Sequence, residues 1–330
     1  MNAKLFRGLA MLAVLLPCLA QAADERPSIA LRVVTPFASG HLLAETGARF
    51  KEALAQKAPH IKVSVQTGVL DEQRIDPAFG SCEASARVGE ILLTGGQPIQ
   101  DYAPDFFFFN GPYVIRDFAQ LQALWRSGTG KAMAGLIEKN GNMVTFDPLY
   151  RGFRHFTANK AIRSPADFRH VKLRLPPVPD WITVWQALEV TPVQVPLPRI
   201  HEALGKGEAE ASEGDLSQIS SLKLHEVQNT LILTRHLVGF GMPLANACFF
   251  RKELDAADQK AVREAMNEAT AWATQYSEMS ESAQLDALRA AGMQVITPDA
   301  EAIRRRAEAA IQSLFATKWT VTSWREVRAM

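Results

Sequence analysis

An α/β architecture in two lobes, with one long helix running across both, is what this chain predicts, and three observations carry the prediction. Strand-like and helix-like segments alternate from Ile29 onward, as in proteins built on a layered sheet. A length of 330 residues is more than one ordinary domain needs. From Asp255 to Ala291 the pattern is helical almost without a break, alanine-rich and free of proline. At about 1.5 Å per residue such a helix exceeds about 50 Å, enough to span two lobes.

The elements follow in order. Ile29 to Thr35 reads as a strand, Pro36 to His41 as a loop and Leu42 to Lys57 as an amphipathic helix. Ile61 to Gln66 and Glu90 to Thr94 are further strands, the latter ending at Gly95-Gly96-Gln97-Pro98. Such alternation implies a mainly parallel sheet, whose ligands bind beyond the carboxyl ends of strands, so the loops holding His41 and Gly95 to Gln97 face a cleft. Phe106 to Phe109 lacks interleaved basic residues and reads as a buried strand or turn, not as a stacking platform. Asp117 to Ser127 and Lys131 to Asn140 are helical, Met143 to Tyr150 is a strand, and a boundary falls near Tyr150. Ser164-Pro165 opens a turn before a strand from Val171 to Leu175. Trp181 to Leu188 is a short helix, Pro192 to Pro196 an extended crossing, and Gly205-Lys206-Gly207 ends a helical turn begun at His201. The acidic run Glu208 to Asp215 reads as a solvated loop in preference to an acid–base or metal cluster. Glu301 to Ala316 forms a last helix, with Trp319 and Trp324 packed behind it.

Composition removes several function classes. Lys4 and Arg7 precede an apolar run from Leu9 to Leu19 and the small-residue site Ala20-Gln21-Ala22, the pattern of a cleaved export signal over residues 1–22. Pro17 before Cys18 is wrong for lipoprotein processing. Loss of the leader removes two basic residues, leaving 34 against 35 acids and a net charge of −1, so no basic field for nucleic acid remains. Cys82 and Cys248 could bridge in an oxidising compartment, although two buried thiols is the reading favoured from sequence. The seven histidines are scattered without ligand spacing, so no metal or cofactor is expected. No G-x-S-x-G or cysteine nucleophile motif occurs, which argues against an exported enzyme.

Two arginines stand out. Arg174 ends the strand before Pro176, and Arg154 lies twenty residues upstream. A guanidinium there offers a planar, permanently charged fork that matches both oxygens of a carboxylate.

The pattern Gly152-Phe153-Arg154-His155-Phe156-Thr157, then Ser164 through Pro176, resembles the signature of the substrate-binding proteins of tripartite ATP-independent periplasmic (TRAP) transporters. Pro192 to Pro196, Glu202-Ala203-Leu204 and Glu226-Val227-Gln228 resemble further family elements. The resemblance implies a two-lobed periplasmic binding protein fold: lobe I from residues 23–151 plus about 240–279, lobe II from 152–239 plus about 280–330. It implies that Arg174 pairs with the carboxylate of a small organic acid, that Arg154 assists, and that Gln97 and Gly95 contribute from the opposite lobe with Trp181 walling the ligand. Two departures stand out: His170 replaces a family glycine, and Gly214 replaces an asparagine between Glu213 and Asp215. The expected ligand-binding set is Arg174, Arg154, Gly214, Glu213, Gln97, Gly95, Trp181 and His41. Loss of the asparagine favours an acid with one carboxylate over a C4 dicarboxylate. The expected partners are the ligand and the membrane subunits of a TRAP transporter, with the protein monomeric; a receptor for a membrane sensor kinase is the alternative.

Overall fold

The computed structural model describes residues 26–71 and 75–330, so the export-signal segment lies outside the described residues. Ten strands form one continuous sheet: β1 (Ile29–Thr35), β2 (Ile61–Thr67), β3 (Ile91–Thr94), β4 (Met143–Thr145), β5 (Leu149–Ala158), β6 (Lys172–Leu175), β7 (Thr191–Gln194), β8 (Ala211–Asp215), β9 (Thr230–Asn246) and β10 (Gln294–Ile296). The strand order is β2-β1-β3-β9-β5-β8-β6-β7, with β4 and β10 also paired to β9. The sheet is mixed, not mainly parallel as expected. The pairs β1–β2, β1–β3, β6–β7, β6–β8 and β9–β10 are parallel, but β5 and β9 pair antiparallel with each other, β9 with β3 and β4, and β5 with β8. β9, at 17 residues, therefore joins two half-sheets, one built on β1 to β4 and the other on β5 to β8.

The helices that matter to the site are α1 (Leu42–Lys57), α2 (Gln97–Tyr102), α3 (Phe118–Arg126), α4 (Gly128–Gly141), α5 (Pro179–Gln186), α6 (Ile200–Gly205), α7 (Leu216–Ser221), α8 (Ala256–Ala290), α9 (Ala300–Thr317) and α10 (Trp324–Ala329). The predicted bridging helix is α8, 35 residues long and capped by Asp255, whose carboxylate accepts from the Asp258 amide. Val262, Met266 and Ala269 of α8 join Phe50, Leu54 and Leu93 in the core of the first half. Leu288, near its other end, packs with Ile219, Leu231 and Met293 in the second. Each end of the rod is thus buried in a different lobe.

Phe106 to Phe109 form a fully buried 3-10 turn, where their rings fill the central core beside Trp125 and Phe315, as the apolar reading of that run anticipated. His170 has φ +61°, a left-handed conformation that glycine adopts without strain, at the position where the resemblance implies a glycine. Cys82 and Cys248 are joined by a disulfide, against the reading of two buried thiols. The Asn142 amide lies beside the bridge, donating to Gly80 O and standing 3.4 Å from both sulfurs.

Candidate functional site

The site is made by an irregularity in β5. Tyr150 sits opposite Phe240 and Gly152 opposite Gly239, so Arg151 is an extra residue with no counterpart on β9. A β-bulge of this kind re-aims the side chains that follow it. In a regular strand, residues three apart point to opposite faces. With the extra residue, Arg151 and Arg154 both line one cavity between the half-sheets. Gly152 supplies the φ of +87° that the bulge needs.

Three guanidinium groups converge there. Arg174, at the end of β6 and 1% exposed, donates from Nε to Val195 O at 2.9 Å, which fixes the plane of its fork. Arg154 donates from Nε and Nη2 to the two oxygens of Glu213 at 2.6 and 2.8 Å, and its guanidinium lies 5.3 Å from the centre of the Trp181 ring. Its Nη1 donates to Gln218 Oε1 at 3.3 Å. Arg151 donates from Nη2 to Asp215 Oδ2 at 2.8 Å, lies 3.2 Å from His41 Nε2 and stacks over Phe37 at 4.9 Å.

The acidic run is a correction. Ala211 to Asp215 form β8, every residue of it buried, where a solvated loop was expected. Burial of Glu213 and Asp215 is possible because each meets an arginine brought from β5. For Glu213, burial pushes the carboxyl up, but Arg154 beside it and hydrogen bonds from His236 and Arg154 outweigh that and hold it below the usual range. Asp215 behaves alike: burial raises it, and the charge of Arg151 leads the effects that bring it below its ordinary value. The histidines go the other way. Burial first, then the charge of Arg151, lowers His41 to about 3, and burial lowers His155 to about 3 and depresses His236. All three are neutral at physiological pH.

Gly95 and Gln97 reach the cavity from the start of α2, and Trp181 walls it from α5, donating from Nε1 to Asn110 O at 2.6 Å. Gln97 Oε1 is buried with no hydrogen-bond partner among the described residues. Glu213 stands behind Arg154, and His41 beyond Arg151; neither lines the inner cavity. The space at Gly214 is not vacant: a Cβ there would meet the Gln218 side chain at 3.2 Å. Gln218, in the first turn of α7, places its side chain beside Gly214 and in the cavity lining. Asp215 is turned away, capping α7 with Oδ1 while Oδ2 holds Arg151. Arg151, Gln218 and Asn110 are the polar lining residues that the sequence did not single out; the glycine after Arg151 was the available signal for the first. The space the lining leaves is about 20 Å³, enough for a water. Among the described residues no cluster of His, Cys, Asp and Glu could hold a metal, and no helix is long and apolar enough to cross a membrane.

Comparison with known proteins gives a consistent result. Residues 87–318 match the sequence model of the family described as bacterial extracellular solute-binding protein, family 7. The sialic acid-binding periplasmic protein SiaP of Vibrio cholerae is 26% identical over 193 residues, which cover 58% of this chain and 60% of that protein. The match therefore spans less than two thirds of that relative's length. Among solved structures, a TRAP periplasmic solute-binding protein of Roseobacter denitrificans with bound L-galactonate is 22% identical with a TM-score of 0.78, covering 87% of this chain and 94% of the other. One from Bordetella bronchispeptica, with density interpreted as pantoate, is 21% identical with a TM-score of 0.80, covering 91% and 99%. These structures share the two-lobed fold.

Proposed function

We propose, from the premise that this chain belongs to family 7 of the bacterial extracellular solute-binding proteins, that it captures an organic acid with a single carboxylate in the periplasm and passes it to a TRAP-type membrane transporter. The family is one of binding proteins and not of enzymes. One observation carries the choice of ligand. The guanidinium groups of Arg151, Arg154 and Arg174 line the inner cavity together, with the carboxylates of Asp215 and Glu213 behind the first two. Arg174 Nε donates to the Val195 carbonyl, which orients its fork. By the resemblance to the family signature the incoming carboxylate belongs on Arg174, with Arg154 Nη1 and Gln218 beside it. The buried carboxylates of Glu213 and Asp215 behind Arg154 and Arg151 would repel a second one. The unsatisfied Gln97 Oε1 favours an acid that also carries a hydroxyl, which would donate to it.

The cavity is too small as it stands for such an acid, so binding requires the lobes to part and to shut again over the ligand. Closure is favoured only if ligand touches both lobes, and Gln97 and Arg174 come from opposite half-sheets. A thermal-shift screen of mono- and dicarboxylic acids identifies the ligand, and calorimetry then compares wild type with Arg174→Ala. Loss of one partner of a desolvated charge pair costs about 2–5 kcal/mol, so affinity should fall on the order of 30-fold to several thousand-fold. Undiminished affinity in Arg174→Ala, or a screen in which only dicarboxylates stabilise the protein, defeats the reading.

A further inference from the structure

The Arg151 cluster joins the two halves of the molecule in a way that capture of a carboxylate does not require. His41 comes from the first half, where it caps α1 by accepting from the Leu43 amide at Nδ1. Asp215 comes from the second half, at the end of β8. Arg151 stands between them on the connecting strand β5, 2.8 Å from one and 3.2 Å from the other. His41 is 2% exposed, Arg151 5% and Asp215 fully buried. Arg151 also lines a second, outer chamber of about 600 Å³ with Ser39, Ser217 and Tyr276, so it divides the inner cavity from this outer space.

We propose that Arg151, His41 and Asp215 form a latch between the lobes, and that proton uptake on His41 opens it. This rests on the reading that the cleft closes over an organic acid.

The chemistry of the latch makes it sensitive to a proton. Both ring nitrogens of His41 face N–H donors, the Leu43 amide and the Arg151 guanidinium. The neutral ring carries one N–H and accepts at its other nitrogen, whereas an imidazolium accepts at neither and sets its charge against that of Arg151. The charged groups facing the ring are Arg151 and Arg154 from β5 and Asp215 from β8; on its own side Glu45 of α1 accepts from the Gly40 amide. Asp215 is engaged with the Gln218 amide through one oxygen and with Arg151 through the other, so it does not bond to His41. Phe37 stacks flat on the ring at 4.0 Å and shields it further. Once the lobes part, water reaches the ring and it titrates near the ordinary value of about 6.5. Closing must then expel a proton whenever the pH lies below that value, which weakens binding by about tenfold per pH unit.

Two measurements test this. The first is proton NMR of the ligand-free protein, with the His41 ring resonance assigned by its absence in His41→Gln or His41→Asn; its midpoint should lie near 6.5. The second is calorimetry with pantoate as the probe. Wild-type Kd should rise about tenfold between pH 7.5 and pH 5.5, and that of His41→Gln, whose amide does not titrate there, less than twofold. A His41 ring that stays neutral in the ligand-free protein below pH 5 would overturn the latch, as would a tenfold rise retained in His41→Gln. Absence of pantoate binding at every pH would count against that acid as ligand, and the NMR midpoint still decides the latch.

Discussion

Arg154 and Arg174 look alike in the sequence and differ in the fold. Arg154 is spent largely on Glu213, a fully buried carboxylate held by two short hydrogen bonds from the fork. Its removal should therefore be felt in folding, because breaking one side of a buried pair leaves an uncompensated charge. Arg154→Ala is expected to lose about 3–5 kcal/mol in urea unfolding at pH 7, and Arg154→Ala/Glu213→Gln to recover part of it. A single-mutant loss below about 1 kcal/mol would contradict that role. The sign with pH follows from the depressed Glu213 value: its contribution is present above the ordinary carboxylate range and is lost as pH falls through the folded-state value. Arg174 was legible as a candidate because a strand end and a following proline frame it, and it lies in the cavity lining. Arg151 was not, since nothing in residue spacing marks an arginine three positions before another as its neighbour on one face.

That juxtaposition belongs to the element. The bulge in β5 depends on Gly152, whose φ of +87° is costly for a residue with a side chain. A Cβ there would meet only Ser277 Oγ at 3.7 Å, so space is not the obstacle. Gly152→Ala should cost about 1–2 kcal/mol of stability by chemical denaturation, from backbone strain alone. A neutral result would mean that the strand relaxes its register, and Arg151 would then leave the cavity. Among the elements, α8 was readable from its composition. β9 was not, because Leu237 to Asn246 is buried on both faces, shows no alternation, and carries Pro243 within it. β8 was misread for a different reason: four acids in eight residues look solvated until the arginines that neutralise two of them arrive from β5.

Across the whole molecule, buried neutral histidines should govern the response to acid. His155 has a value near 3 in the fold and takes up a proton near 6.5 when unfolded. Its contribution to stability is thus complete above about pH 6.5 and is lost as pH falls from there towards the folded value, by about 1.4 kcal/mol at pH 5.5. Urea midpoints should be level from pH 8 to 7 and decline below 6.5; a midpoint that rises on acidification would show the opposite linkage. The disulfide has an effect at the same scale. Cys82 and Cys248 are 166 positions apart, and Arg151, Arg154, Arg174, Glu213 and Asp215 all lie between them. A pull applied to the two ends of the chain crosses from sulfur to sulfur and bypasses that entire loop. The arginines that line the cavity are thereby kept out of the line of mechanical tension for as long as the bond between the cysteines is intact.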